Sequence, residues 1–321
     1  MKTQLLTTAL TLSLVASAAM ADVPANVANR LGQDLTPMGA EKAGTESGVA
    51  AWSGQSIDGS ALLRGYDGGA LPNPYTSDKV LYTITASNAG EYDSVLSVGQ
   101  KALLATYPDT YKLNVYQSRR SCTYPDFVYK AAKRNAQVGK VVDDGNGISE
   151  SIMAAPFPIP SSAVEIVWNH TLRYRGERVA RDFNFAAPTA SGDFTLTDTR
   201  DEIIFAYSDA QNARAEDLDN ISIWFVAYTS APARRAGNVV LVHETLNMAK
   251  EGRKAWTYSP GTRRVRRAPN IAYDNPVTNG DGLATSDQYD GYNGAPDRYN
   301  WTVSGKMTQL SQQNNYNAVL T

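Results

Sequence analysis

The sequence predicts a mixed α+β fold: one large, strongly curved antiparallel sheet with a few helices packed into or across it. Three observations predict it. Between residues 164 and 267 short β-rich runs recur, separated by Gly, Asp, Asn and Pro, the punctuation of an antiparallel meander. Two helix-period stretches precede that region, and no βαβ alternation is present. The stretch 254–270, KAWTYSPGTRRVRRAPN, reads as a β-hairpin. Trp256 and Tyr258 lie two apart and share a strand face, Pro260-Gly261 supplies a turn, and Pro269 ends the returning arm. On that arm Arg264 and Arg266 fall on one face, with Arg263, Val265 and Arg267 on the other.

In chain order, residues 1–21 read as a secretion signal. Lys2 gives the positive start, 5–15 the short apolar run, and Ala19-Met20-Ala21 the small-x-small cleavage site. That run is too short to span a bilayer, and no later stretch is long enough. Residues 22–321 are expected to form a single domain, exported to the periplasm. Its first part, 22–150, is an extended leader plus helices. The segment 31–44 carries turn chemistry, with a helical turn expected at 25–32. A strand is predicted at 79–85 and helices at 91–107 and 123–137, the latter from Thr123 as N-cap and the stripe Phe127, Val128, Ala131, Ala132. The second part, 151–305, holds the sheet and its loops. PFPIP at 156–160 is barred from helix. Strands are predicted at 164–172, 178–185, 193–198, 202–207, 221–228, 238–246, 255–258 and 263–267. The run 221–226, ISIWFV, is nearly all apolar and is expected to be central and covered on both faces. Residues 273–301 are loop-rich, and 306–321 form a divergent, Gln/Asn-rich tail.

Composition narrows the function classes. There are 30 Lys+Arg against 32 Asp+Glu, so the RRVRR cluster is local and a nucleic-acid partner is not expected. The single cysteine, Cys122, allows no intrachain disulfide. The two histidines, His170 and His243, belong to no nucleophile or zinc motif, and His243-Glu244 face opposite ways on a strand, so no catalytic residue is assigned and an enzyme is not expected. Asn279, Asp281, Asp287 and Asp290 offer oxygen ligands but not the spacing of a calcium loop, so neither a metal nor a cofactor is predicted. The remaining chemistry is apolar. Trp224, Phe225, Trp256 and Tyr258 would line an apolar hollow, and Arg264 and Arg266 would meet an anionic head or a partner's acidic patch. The alternative is that these aromatics fill a covered sheet.

Several segments carry a resemblance: LGQDLTPMGAEKAG (31–44), PFPIP (156–160), VWNHTLRYRG (167–176), APARRAGNVVLVHE (231–244), AWTYSPGTRRVRRAPNIAYDNP (255–276), DGLATSD (281–287) and NGAPDRYNW (293–301). Through them the chain resembles an uncharacterised domain-of-unknown-function family of periplasmic proteins from Gram-negative bacteria, grouped with outer-membrane lipoprotein-sorting proteins. The W-x-Y-x-P…R-V-R-R core is similar to a strand pair of the LolA/LolB-like group. The resemblance implies an incomplete β-barrel closed by helices, a cavity that shields acyl chains, and action beside an RND-type inner-membrane exporter and an outer-membrane β-barrel protein. Family members continue past the Gly-Lys pair at 305–306 into further strands. Here MTQLSQQNNYNAVLT follows instead, so a truncated or frameshifted form is expected. The function expected is a periplasmic carrier of a lipid or other hydrophobic ligand, with a non-carrier adaptor of an envelope transporter and a hydrolase of an exported ester as alternatives.

Overall fold

The structure is a computed structural model that describes residues 23–68, 71–268, 271, 273–277 and 279–316. The secretion signal expected at 1–21 lies outside the described residues. No helix among them is long and apolar enough to cross a membrane. The fold is mixed α+β, as the sequence predicts. In chain order the regular elements are α1 (Ala25–Ala28), α2 (Gly59–Leu62), β1 (Tyr82–Ile84), α3 (Val98–Thr106), β2 (Leu113–Val115), α4 (Asp126–Val138), β3 (Lys140–Val142), β4 (Gly147–Ser149) and α5 (Ala163–Thr171). Six longer strands follow: β5 (Arg178–Pro188), β6 (Phe194–Ile204), β7 (Ile221–Ala231), β8 (Val239–Thr245), β9 (Lys254–Ser259) and β10 (Arg264–Ala268).

The six form one antiparallel meander in the order β10-β9-β8-β7-β6-β5, open at its two edges, while β1-β2 and β3-β4 are separate two-stranded ribbons. Register fixes which side chains share a face. One row runs Arg181, Asp201, Ala227, Val240, Thr257, Arg266 across the sheet, and the next runs Val179, Ile203, Phe225, Val242, Ala255, Ala268. Because side chains alternate, both rows lie on one face. The other face carries the rows Ile204, Trp224, His243, Lys254 and Arg200, Tyr228, Val239, Tyr258, Val265.

Three strand predictions are corrected. Residues 164–172 fall in helix α5 and its C-cap Leu172, not in a strand. Ser162 accepts from the Glu165 backbone N–H, Glu165 reaches back to the Ser162 N–H, and Trp168 and Leu172 recur on the buried side. The runs predicted at 193–198 and 202–207 merge into one strand, β6, since the Arg200-Asp201 step between them keeps the ladder to β5 unbroken; it ends at Ile204, and Ala206–Ser208 form a 3-10 turn instead. Strand β7 is central, but it is covered on one face only: Trp224 is 41% and Tyr228 44% exposed on the other. The helix predicted at 91–107 is shorter, starting only after the Ser97 cap.

Helix α5 packs at one end of the sheet, while α3 packs on the separate β1-β2 ribbon. Trp168 of α5 and Leu172 at its C-cap pack with Ile148, Ile152, Phe157, Tyr207, Leu218 and Leu246, where β6 ends and β7 begins. Trp168 is 1% exposed and its indole N–H donates to Gly145 O at 3.0 Å. Helix α4 buries Val128, Ala131 and Ala132 against Ala154, and Ala136 against Leu31 and Leu35 of the leader. Gly39 holds that leader close to the PFPIP run: its φ is +93°, and a Cβ there would lie 1.7 Å from Pro158 O.

Candidate functional site

The face that carries Asp201 and Phe225 is covered by the segment 271–294, and between the two lies a cavity of about 390 Å³. Its floor is Phe183 and Phe185 of β5, Ile203 of β6, Ile223, Phe225 and Ala227 of β7, and Val240 and Val242 of β8. These are alternate residues of neighbouring strands, so the strand period itself brings them to one face, where Asp201 and Thr199 of β6 lie among them. Ile271, Pro276, Val277, Tyr289 and Tyr292 approach from the covering segment, and Phe205 and Met248 stand at one end.

Four arginines line the same cavity: Arg173, Arg175, Arg181 and Arg253. Each is held by a carboxylate. Arg181 meets the fully buried Asp201 through Nε at 2.9 Å and Nη2 at 2.6 Å, and this pairing raises the guanidinium pKa further. Arg253 is itself buried. Its Nε donates to Glu244 at 2.6 Å, Nη1 to Ile271 O at 2.9 Å and Nη2 to Asn293 O at 2.6 Å, so one guanidinium ties the covering segment to β8. Arg173 and Arg175 both donate to Asp290 Oδ2, at 2.5 and 2.8 Å, while His170 Nε2 lies 2.9 Å from Asp290 O. Burial, then the neighbouring Arg173 charge, lowers the pKa of Arg175 from its ordinary value. Its guanidinium carbon sits 4.6 Å from the centre of the Phe205 ring. At the far rim Arg235 bonds Asp281 at 2.7 Å and Thr197 Oγ1 at 2.9 Å, closing the other side of the cover.

The residues singled out in the sequence fall elsewhere. Trp224, Trp256 and Tyr258 stand on the opposite, outer face of the sheet. There the His243 ring lies between the two indoles, at 4.2 Å from Trp224 and 4.8 Å from Trp256. Arg264 and Arg266 share the cavity face but are exposed on the edge strand β10 and outside the cavity lining. Five strand spacings separate Arg266 from Arg181, roughly 24 Å. Of the aromatic set only Phe225 reaches the cavity. His170 lies on α5 rather than on a strand, and Asp281 and Asp290 pair with Arg235, Arg173 and Arg175, not with 263–267. No group of three or more His, Cys, Asp or Glu among the described residues is placed to hold a metal ion. Cys122 is a free, exposed thiol.

The family model for a protein of unknown function, DUF1329, matches residues 83–321, a span that takes in the sheet, the cavity and the covering segment. The chain belongs to the DUF1329 family. An uncharacterized protein of Pseudomonas aeruginosa is 47% identical over 310 residues, 96% of this chain and 67% of that protein. Among solved structures, a putative outer membrane lipoprotein-sorting protein domain from Vibrio parahaemolyticus aligns with a TM-score of 0.28 and 14% identity. That alignment takes in 38% of this DUF1329 chain, which spans just under half, 47%, of the Vibrio chain.

Proposed function

We propose that this DUF1329 protein binds, and carries through the periplasm, a lipid-like or other hydrophobic small molecule held between the sheet and the segment 271–294. The observation that carries this reading is the cavity of about 390 Å³ with its floor of Phe183, Phe225, Ile203 and Val242. A packed domain closes apolar surface against itself. A hollow of this size, within the roughly 300–1,000 Å³ typical of small-molecule sites and ringed by a few oriented polar groups, is what a binding protein presents. Binding without chemistry is favoured over ester hydrolysis by where the histidines stand. His243 is on the outer face, and His170 Nε2 faces the Asp290 carbonyl, which leaves neither beside a nucleophile in the cavity. Transfer to or from an RND-type exporter and an outer-membrane β-barrel protein extends the proposal on the sequence resemblance alone.

The test is native mass spectrometry and solvent extraction of the protein purified gently from its own periplasm. One hydrophobic species at near-equal stoichiometry is the expected result. Protein that is ligand-free in every preparation, and that fails to enhance the fluorescence of an apolar naphthylamine probe, would sink the reading. A second reading, an adaptor that docks on an envelope partner, is favoured by the outer face, where Trp224, Tyr228, Leu241 and Val265 remain exposed. Pull-downs with cavity-filled and outer-face variants separate the two.

A further inference from the structure

The cavity is not uniformly apolar, and its polar end carries a charge imbalance. The guanidinium groups of Arg173, Arg175, Arg181 and Arg253 meet three carboxylates, of Asp201, Glu244 and Asp290. The Arg181–Asp201 and Arg253–Glu244 pairs are each complete. The surplus therefore sits on Arg173 and Arg175, which share one oxygen of one carboxylate, Asp290 Oδ2. Arg175 is left short of acceptors: its Nε is buried and, among the described residues, has no hydrogen-bond partner. Thr245, a buried residue of the same cavity, has a hydroxyl in the same condition. Buried donors without acceptors are uncommon in proteins that hold nothing else, because each forfeits its hydration.

Asp290 differs from the other two carboxylates in where it comes from. Asp201 and Glu244 project from the sheet, whereas Asp290 is delivered by the covering segment, and its side chain remains 37% exposed. It bonds the same two guanidiniums that carry the surplus charge.

Resting on the carrier reading, the geometry points to an oxyanion subsite at Arg173 and Arg175: the bound amphiphile has a carboxylate or phosphate head, and Asp290 occupies that charge in competition with it. The head takes the Nη groups of Arg175 and Arg173, which Asp290 now holds. The tail lies along Phe225 and Val242, and the phenyl ring of Phe205 backs the Arg175 plane. Asp290 holds the two cations in position in the empty cavity and weakens the hold on an anionic head by its own charge, which makes binding reversible.

The test uses the purified full chain and displacement of a fluorescent apolar probe by three ligands of one chain length: a fatty acid, an alkyl phosphate and the fatty acid methyl ester. The acid or the phosphate is expected to bind about tenfold more tightly than the ester, the gain typical of charge-assisted hydrogen bonds, and whichever binds better identifies the head. Asp290→Asn, nearly isosteric, is expected to tighten the anionic ligand about three- to tenfold and leave the ester unchanged. Arg175→Gln should bring the anionic ligands down to the ester's affinity. Equal binding of ester and acid by the unaltered protein, or anionic binding that Asp290→Asn leaves the same or weakens, overturns the subsite while leaving the apolar cavity standing. If none of the three ligands displaces the probe, the carrier reading fails and the subsite falls with it. Should Arg175→Gln also lose the ester through misfolding, the Asp290→Asn result decides.

Discussion

Arg181 and Asp201 stand opposite one another in the β5–β6 register, joined by two bonds of 2.9 and 2.6 Å beside the cavity floor. The carboxylate is fully buried, whereas the arginine side chain is 43% exposed, so the pair is unequal: water can serve the cation but not the anion. Removing the cation leaves a buried charge without its partner. Arg181→Met is expected to cost about 2–3 kcal/mol in urea unfolding, and Arg181→Met with Asp201→Leu to cost less than that single change. A double variant less stable than Arg181→Met would show that Asp201 is satisfied by something other than Arg181.

The cluster at the end of the sheet turns on Trp168, which is 1% exposed and tethered through its indole N–H to Gly145 O. Two effects separate here by substitution. Trp168→Phe keeps most of the volume and forfeits the hydrogen bond, for an expected loss of about 1–2 kcal/mol. Trp168→Ala empties the site, for about 3–5 kcal/mol. Thermal or urea unfolding of the two variants reads both, and equal losses would mean that volume is not what Trp168 contributes.

Much of the sheet was legible because its signals are local. Alternation and the Gly, Asn, Asp and Pro separators gave β5 and the hairpins β7–β8 and β9–β10 to within a few residues, whereas the register that sets Tyr258 opposite Val265 comes from the structure. The segment 164–172 misled because VEIVW is rich in β-branched residues, and their preference outweighed its flanks. The available counter-signal was Ser162 with Glu165 three residues on. The cavity was harder to see. Arg173 and Asp290 meet across 117 positions of sequence, and nothing local reports such a contact. Which face of the sheet is covered is likewise a tertiary fact: Trp224 and Phe225 are adjacent and equally apolar, yet only one of them faces the segment 271–294. A partial clue existed in Arg181, Phe183 and Phe185, spaced by two and hence on a single strand face, the combination of cation and aromatics that the site uses.

His243 lies between the indoles of Trp224 and Trp256, with Lys254 opposite it in the β8–β9 register. Burial, and then the Lys254 charge, lowers its pKa from the ordinary 6.5. A histidine whose folded-state pKa lies below its unfolded value favours folding in its neutral form. That contribution is complete above pH 6.5 and is lost as the pH falls through the lowered folded value. Stability measured by urea unfolding should therefore decline as the pH drops below 6.5, and His243→Gln should flatten that first part of the profile. A profile unchanged by the substitution would assign the decline to the carboxylates.

Ala227 is the small residue in the row between Asp201 and Val240, and it faces the cavity. Ala227→Leu adds apolar volume to empty space rather than to a packed core, so the usual cost of overpacking does not apply. The expected outcome is probe binding weakened about tenfold or more with an unchanged or higher unfolding midpoint. A fall in stability with binding intact would mean that the space beside Ala227 is already filled.

Trp256 tests the assignment of faces most directly. It sits in the row with Leu241 and Arg267, on the face turned away from Phe225, Val242 and the four arginines. The period of a strand leaves no intermediate position: a side chain one residue from Ala255, which shares the covered face with Val242, must stand on the other side. Trp256→Ser is therefore expected to leave the affinity for an apolar probe within about twofold of the unaltered protein. The substitution should still cost stability, since the indole packs edge-on against His243 at 4.8 Å, and should reduce capture of any partner that docks on the outer face. Phe225→Ser, on the cavity floor, should show the reverse, with probe binding lost and partner capture retained. Loss of probe binding by Trp256→Ser in protein that remains folded by circular dichroism would place the ligand on the outer face and refute the cavity as its site.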